Sequence, residues 1–315
     1  MRRRLCVEHK TTSSDIEPGG AYWKRLTLDT QVSQYLGAGE GVDGMLYDVI
    51  RKPALRPYKA TPPDERKYTK AGALYASQRE NDETPAEYEA RLVEDIAANP
   101  NKYYQRGVVV RLEHETIEAA RDTWLVAGSI RESMRLNAWP RNPGACDSYG
   151  RTCDYWQVCA GQASLLDDAL YRTAAEPHEE LPGLKHRLPL LTNSAMSAYR
   201  SCPRRYLHAY VARRRPVVTP HALAFGTLMH RALEVWWTTV DLPAALAVIE
   251  AADPFDVVKA RALVTGYHTR WADEAITVLA VERAFVAPLL NPETGAASRT
   301  FELGGRCDAI AEVEV

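Results

Sequence analysis

The alternation of hydrophobic and polar residues changes its period several times along the chain, and each period predicts one kind of element. Strand-like patterns occur at residues 1–10, 44–55, 103–112, 276–290, 299–303 and 304–315. Helix-like patterns, with a period of three to four residues, occur at residues 26–36, 85–98, 113–137, 228–240 and 243–275. Strands are therefore predicted at both ends of the chain.

Three stretches lack a regular period. Residues 58–85 are charged and rich in turn formers, which predicts a surface excursion. Residues 139–161 are rich in proline, glycine and cysteine, and their thiols are the groups best able to organise them. Residues 166–190 are polar, acidic and interrupted by prolines, as is typical of a linker. This linker divides the chain into residues 1–165 and residues 191–315.

Composition places the chain among globular proteins. It has 315 residues, of which 46% are hydrophobic and 25% charged, enough for one large or two small domains. The formal net charge of −2 excludes global basicity as a sign of nucleic-acid binding. Arginines nevertheless cluster at residues 2–4, 200–205 and 213–215, where they form either local phosphate-binding patches or ordinary solvated faces.

The sequence also predicts where the protein works. No apolar run approaches the roughly 20 residues of a membrane span, and the basic start lacks the apolar core of a signal peptide. We therefore expect a cytoplasmic protein without a membrane partner. Its six cysteines are then expected to be metal ligands or buried thiols rather than disulfides.

The first strand carries a carboxylate and an amine on one face. Side chains alternate along a strand, so Glu8 and Lys10 point one way while Val7 and His9 point the other. Such a pair can hold a divalent cation and orient an attacking water. Alone the pattern is weak, because a solvated strand face gives the same spacing.

The two ends of the chain read as neighbouring strands. The last residues, after Gly304 and Gly305, form a strand that carries Asp308, and the sequence stops there without a polar tail. The first residues begin within a strand in the same way. Joined end to start, the two would form an antiparallel hairpin that places Asp308 near Glu8 and Lys10.

With these motifs the sequence resembles the RecB-like branch of the PD-(D/E)XK nuclease superfamily. Five segments match, and the order in which the family has them is residues 202–207 (CPRRYL), 225–234 (FGTLMHRALE), 305–310 (GRCDAI), 8–12 (EHKTT) and 31–35 (QVSQY). In this chain residues 191–315 hold the early segments and residues 1–165 hold the late ones. The resemblance implies a circular permutation cut between the two catalytic strands, with residues 166–190 joining the family's usual ends. A circular genome opened at this point, or a fusion of two fragments, gives the same order.

The resemblance implies an α/β fold with the restriction-endonuclease-like core of this superfamily. A mixed central sheet from residues 276–315, 1–10 and 43–56 would be flanked by helices, so that both halves of the chain complete one nuclease domain. Residues 240–275 would form a helical insertion. Residues 113–160 and 191–210 would form a cap bound by a metal cluster.

The same resemblance implies a metal-dependent catalytic site. Asp308 and Glu8 would be the carboxylate ligands of Mg²⁺ or Mn²⁺, with His230 as a further ligand and the backbone carbonyl of His9 as a fourth. Lys10 would orient the attacking water and stabilise developing negative charge. Taken singly, a histidine such as His230 is more often a helix-core residue, and an aspartate after two glycines, such as Asp308, is more often a turn residue.

Other residues are implied to contact DNA. Gln31 and Tyr35, four residues apart on one helix face, match the family's strand-contacting pair, although each also fits a plain surface position. Arg204 and Arg205 would guide a single strand, with the Arg213–Arg215 run and nearby tyrosines assisting. Glu282 resembles an acidic residue on the family's first core strand.

Four cysteines resemble the ligands of the iron–sulfur nucleases of this family. Cys202 would join Cys146, Cys153 and Cys159 in holding a [4Fe-4S] cluster. The family commonly has a closer cysteine pair where six residues separate Cys146 from Cys153. Zinc on the same four thiolates is the alternative, and the other two cysteines, Cys6 and Cys307, are expected to be buried.

The implied activity is metal-dependent exonuclease cleavage of DNA ends that are single-stranded or carry single-stranded tails. The implied setting is phage or bacterial recombination or repair, with a recombination protein or a helicase as partner. One alternative is a non-cleaving DNA-end-binding protein whose iron–sulfur or zinc site is structural. Another is an inactive relic whose site is completed only by exchange between two molecules.

Overall fold

The computed structural model describes residues 2–38, 41–148 and 150–314, and a six-stranded mixed sheet runs through it. Both halves of the chain contribute strands to this sheet, in the order β3-β2-β1-β10-β7, with β9 also paired to β10. The strands of the sheet are β1 (Arg2–Thr12), β2 (Gly44–Arg51), β3 (Tyr104–Val109), β7 (Leu190–Leu191), β9 (Ile276–Leu290) and β10 (Ala297–Glu314). Four short strands lie outside it, namely β4 (Asp147–Ser148), β5 (Arg151–Thr152), β6 (Tyr171–Thr173) and β8 (Arg214–Pro216).

The first and last strands lie side by side in the middle of the sheet. β1 and β10 are antiparallel, and their register runs from Arg2 opposite Glu314 to Val7 opposite Ala309. The predicted pairing of the Asp308 strand with the Glu8 strand is therefore confirmed. Met1 and Val315 lie outside the described residues.

The β9–β10 hairpin is longer than the sequence indicated. Residues 299–303 and 304–315 were predicted as separate strands, but a single 18-residue strand, β10, spans them. β9 pairs with β10 along most of this length, with a register shift near Ile310. The hairpin thus carries Asp308 in the middle of a long, well-supported strand.

The described helices are α1 (Ala21–Lys24), α2 (Thr30–Gly37), α3 (Pro85–Ala98), α4 (Pro100–Tyr103), α5 (Glu113–Leu136), α6 (Trp156–Cys159), α7 (Asn193–Ser201), α8 (Pro203–Tyr206), α9 (His221–Thr239), α10 (Leu242–Ala247) and α11 (Pro254–Trp271). Five of them, α2, α3, α7, α10 and α11, begin at a residue whose side chain caps the helix. Thr84 and Glu87 form a capping box that starts α3 at the predicted residue. Short 3₁₀ segments lie at Arg25–Leu28, Pro63–Glu65 and Pro143–Ala145, and a π-helical turn lies at Leu207–Val211.

Several other predicted elements differ from the structure, among them α9, which begins at His221 and not at residue 228. Residues 26–36 are not one helix, because Asp29 caps a new helix by accepting from the amides of Gln31 and Val32. Residues 243–275 are two helices, because Asp253 and Pro254 start α11 afresh. The predicted strand at residues 44–55 ends at Arg51, two residues before Pro53.

Helices cover both faces of the sheet. Side chains of α3, α9 and α11 pack with Leu5 and Val7 on one face. Side chains of α2, α5 and α7 pack with Cys6 and Cys307 on the other. No helix within the described ranges is both long and apolar enough to cross a membrane.

Gly305 lets an aromatic pair close over β10 just before Asp308. A Cβ there would lie 2.6 Å from the Phe285 ring and 2.8 Å from the Tyr35 ring. We expect Gly305→Ala to lower the free energy of unfolding by about 1–3 kcal/mol through overpacking, measured by urea denaturation. The control is Gly128→Ala within α5, where a Cβ has open space. There the free energy of unfolding is expected to rise by about 0.5–1 kcal/mol. Equal effects at both positions would contradict this packing.

Candidate active site

The β1–β10 ladder ends where the predicted catalytic residues stand. Its last partners are Val7 and Ala309. Just beyond them the amide of His9 donates to Oδ2 of Asp308, at 2.6 Å. The other Asp308 oxygen, Oδ1, lies 3.6 Å from Nδ1 of His230 on α9. The structure thus brings Asp308, His9 and His230 together, as predicted from residues far apart in sequence.

Glu8 and Lys10 meet Gln31 beside this point. Nζ of Lys10 donates to Oε1 of Glu8 and, at 3.1 Å, to Oε1 of Gln31. Nε2 of Gln31 donates to the same Glu8 oxygen at 2.9 Å. Asp29 caps α2 and fixes its first turn. The Gln31 side chain therefore points at the Glu8–Lys10 pair.

The carboxylates of the site have opposite electrostatics. Burial raises the pKa of Glu8 above its usual value, although Lys10 opposes the shift. Burial also favours a higher pKa for Asp308, but His230 outweighs it and the pKa of Asp308 is lowered. Burial acts to lower the pKa of His230, yet Asp308 raises it overall. The site therefore holds Asp308 ionised, whereas burial disfavours the charged form of Glu8.

The chemistry of these groups fits a hard divalent cation. Oε2 of Glu8 is buried and has no hydrogen-bond partner among the described residues, so this carboxylate oxygen is available to a cation. Asp308 adds further oxygen and His230 an imidazole, which suits Mg²⁺ or Mn²⁺. In the described residues, however, the ligand atoms of Glu8, Asp308 and His230 do not all lie within 4.8 Å of one another.

One group of side chains in the described part of the chain meets that spacing. It consists of His221, Asp253 and Asp256, at the beginnings of α9 and α11. His221 and Asp253 are exposed, while Asp256 bonds to His221 at 2.6 Å and to Lys259 at 3.1 Å. These partners already satisfy Asp256, and the group lies outside the set predicted from sequence.

Two further predicted residues take supporting positions. Tyr35 is buried, its ring packs edge-on against Phe285, and its hydroxyl accepts from the amide of Arg306 at 3.4 Å. This burial does not favour the predicted contact of Tyr35 with DNA. Glu282 lies opposite Asp308 in the β9–β10 register and binds Arg306 at 2.8 Å. Its φ of 53° is strained for a residue with a Cβ, and such strain often marks functional sites.

The four predicted cluster cysteines line one cavity. Cys146, Cys153, Cys159 and Cys202 surround a cavity of about 430 Å³, together with Arg141 and Arg205. Within the described ranges no three of these thiols lie within 4.8 Å of one another. A tetrahedral zinc site with Zn–S bonds of about 2.3 Å would draw its sulfurs closer than that. The other two cysteines, Cys6 and Cys307, are buried as predicted.

The arginines predicted to guide DNA divide into two groups. Arg205 is exposed at the cysteine cavity, and Arg204 donates through Nε to the carbonyl of Trp139 at 2.8 Å. The Arg213–Arg215 run instead holds residues 168–177 of the linker, through Asp168 and the carbonyls of Ala175 and Pro177. The cations of this run are therefore engaged within the protein.

Sequence reasoning missed a buried polar ladder behind the site. Asp48 on β2 is fully buried, and its carboxylate accepts from Nδ1 of His9 at 2.9 Å and from Nε of Arg106 at 3.0 Å. Tyr267 of α11 donates to the same carboxylate. Burial alone would raise the pKa of Asp48, but Arg106, His9 and Tyr267 hold it below its usual 3.8. The one available signal was a charged residue inside the otherwise apolar strand of residues 45–50.

The depressed pKa of Asp48 gives a pH dependence of stability. A lowered folded-state pKa stabilises the fold above the unfolded value, and this contribution is lost as pH falls below about 3.9. We expect Asp48→Asn to cost about 3 kcal/mol of unfolding free energy near neutral pH, because Arg106 loses its buried counter-charge. The wild-type and variant curves should approach each other under acid conditions, as measured by urea denaturation across pH. A difference in unfolding free energy between the two proteins that does not change with pH would contradict this.

Comparison with known families identifies part of the chain. Residues 191–314 match the family model described as the PD-(D/E)XK nuclease superfamily. This segment runs from the linker's end to the Asp308 strand and includes Cys202, His230 and Glu282. Neither the curated proteins nor the solved structures give a match.

Proposed function

Because the chain belongs to the PD-(D/E)XK nuclease superfamily, whose members are metal-dependent nucleases, we propose that it cleaves DNA from its ends. The observation that carries the proposal is the Asp308–His9 contact, which joins the site from the two ends of the chain. It places the Glu8–Lys10–Gln31 group beside the Asp308–His230 pair. These are the groups that phosphodiester hydrolysis requires.

Each residue has a role that follows from its contacts. Asp308, Glu8, His230 and the carbonyl of His9 would hold Mg²⁺ or Mn²⁺. The ion supplies charge neutralisation at the phosphate and a more acidic water when bound. Lys10, fixed between Glu8 and Gln31, orients the attacking water and stabilises negative charge on the phosphate. Glu282 holds Arg306 at the edge of the site, where its guanidinium can meet a DNA phosphate.

We place a [4Fe-4S] cluster in the cavity lined by Cys146, Cys153, Cys159 and Cys202. The support is that the four thiols line one cavity, as four ligands of one cluster must, and zinc on the same thiolates is the alternative. The cluster would tie residues 141–161 to the start of α8. Arg205 at its rim, with Arg204 and Gln31, is proposed to contact a single strand of DNA.

A circular permutation accounts for the order of the motifs. The family match includes the Asp308 strand, and the strand paired with it, β1, carries the residues 8–12 that the resemblance places next. The pairing of β1 with β10 supports a cut in the loop between two catalytic strands. Phage or bacterial recombination or repair is the proposed setting, with a recombination protein or helicase as partner and the cytoplasm as the place of action.

A time course on end-labelled DNA tests the proposed activity. Single-stranded, blunt and tailed duplex substrates, each with a labelled end, are incubated with the protein and Mg²⁺ or Mn²⁺. Progressive release of label from the ends, dependent on the metal, is expected. Binding to ends without any cleavage would instead support an end-binding protein, and internal cuts would overturn the exonuclease assignment.

A further inference from the structure

The buried ladder behind β1 has no role in the chemistry described above, yet it ends on a residue of the site. Three neighbouring strands each place one polar residue in a row, because His9 pairs with Asp48 and Asp48 pairs with Arg106 in the strand registers. The side chains of His9, Asp48 and Arg106 are 3%, 1% and 6% exposed. Burying charged and polar groups to this extent costs desolvation free energy, which is offset only when their hydrogen bonds and ion pairs are well arranged.

The ladder is fixed from a second layer by two helices. The hydroxyl of Tyr267, on α11, donates to Asp48 and accepts from Nη2 of Arg106 at 2.7 Å and from Nε1 of Trp237 at 2.9 Å. Trp237, on α9, also packs against the His9 ring with centroids 5.2 Å apart. Arg106 is further held by Glu274. Asp48, Arg106 and Tyr267 therefore have their hydrogen-bonding partners set by neighbouring elements.

The imidazole of His9 is held in one orientation by this ladder. Arg106 is a permanent cation and Tyr267 a donor, so the Asp48 carboxylate acts as acceptor and Nδ1 of His9 carries the hydrogen. The other ring nitrogen, Nε2, is buried and has no hydrogen-bond partner in the part of the chain that the structure describes. The Asp48 bond is thus the one polar contact that fixes the ring among the described residues.

Fixing the ring also fixes the peptide groups on either side of it. The amide of His9 donates to Asp308, and its carbonyl is a proposed metal ligand. We infer that His9, Asp48 and Tyr267 form a positioning relay that sets the metal affinity of the site from the opposite face of the sheet. This inference rests on the proposed function, since it concerns the metal of that site. His9 acts through its own backbone and through Asp308, so its side chain is a positioning group.

Mn²⁺ binding without DNA tests the relay, with free Mn²⁺ measured by electron paramagnetic resonance on the full chain. His9→Val removes the ring's hydrogen bond and should weaken Mn²⁺ binding by about tenfold or more. His9→Asn places an N–H on Cγ, as Nδ1 is in histidine, and should restore most of the affinity. Tyr267→Phe keeps the packing but removes one donor to Asp48, so an intermediate loss is expected.

Two references separate the outcomes. Asp308→Asn defines the loss of the site, and His178→Val removes another buried histidine that bonds to the Leu190 carbonyl at 3.0 Å. Wild-type affinity in both His9→Val and Tyr267→Phe would overturn the relay and leave the proposed function intact. Equal losses in His9→Val and His178→Val, or no rescue by His9→Asn, would also overturn it. A wild type that binds Mn²⁺ no better than Asp308→Asn would overturn the proposed function together with the relay.

Discussion

Asp308→Asn is expected to reduce metal-dependent DNA cleavage by about a thousandfold or more while the protein stays folded. Asp308 is the one carboxylate of the site with a depressed pKa, and the amide of His9 and the imidazole of His230 both hold it in place. Losing several kcal/mol of metal-based stabilisation of the transition state accounts for the size of the effect. The Asn oxygen can still accept from the His9 amide, so the strand pairing should remain.

Release of label from end-labelled DNA measures this effect, with the thermal unfolding midpoint as the check on folding. Glu312→Gln is the matched control, because Glu312 lies on the same strand with its side chain 37% exposed. The control should cleave at the wild-type rate. Substantial cleavage by Asp308→Asn would remove Asp308 from the proposed chemistry.

Cys202→Ser is expected to abolish iron binding and to loosen the part of the fold built around the cysteine cavity. Cys202 starts α8, and its Sγ accepts from the amide of Asn142 at 3.4 Å, so it links the two cysteine-bearing segments. Loss of one of four ligands should remove a cluster of about four iron atoms per chain. Anaerobic purification followed by iron analysis and visible absorbance measures the cluster directly.

Cys6→Ala is the control for this substitution. Cys6 is buried in β1 and faces Cys307 rather than the cavity, so iron content should be unchanged. A wild-type protein that is colourless and carries only zinc would refute the iron–sulfur assignment. Iron that persists in Cys202→Ser would show that this thiol is not a ligand.

Local sequence features predicted the parts of the site that depend on the backbone. Glu8 and Lys10 had to share a strand face, and in the structure Lys10 does bind Glu8. The β1–β10 pairing was accessible because both ends of the chain read as strands. The amphipathic period likewise placed α3, whose bounds match the prediction.

Other features depend on tertiary contacts and leave little trace in the sequence. Nothing in residues 44–51 shows that Asp48 meets Arg106 from β3 and Tyr267 from α11, more than 50 and 200 residues away. Tyr35 has the spacing of a surface pair with Gln31, but the absence of a side chain at Gly305 lets its ring pack inward. The Arg213–Arg215 run was predicted to meet DNA, yet the linker that it holds lies about 40 residues earlier in the chain.

The central claim is that one molecule completes its site from both ends of its own chain. Mixing Glu8→Gln protein with Asp308→Asn protein tests this most directly, with metal-dependent release of label by the wild type as reference. We predict that the wild type cleaves and that the mixture is as inactive as each variant alone. Activity regained in the mixture, or a wild type without any metal-dependent cleavage, would contradict the account.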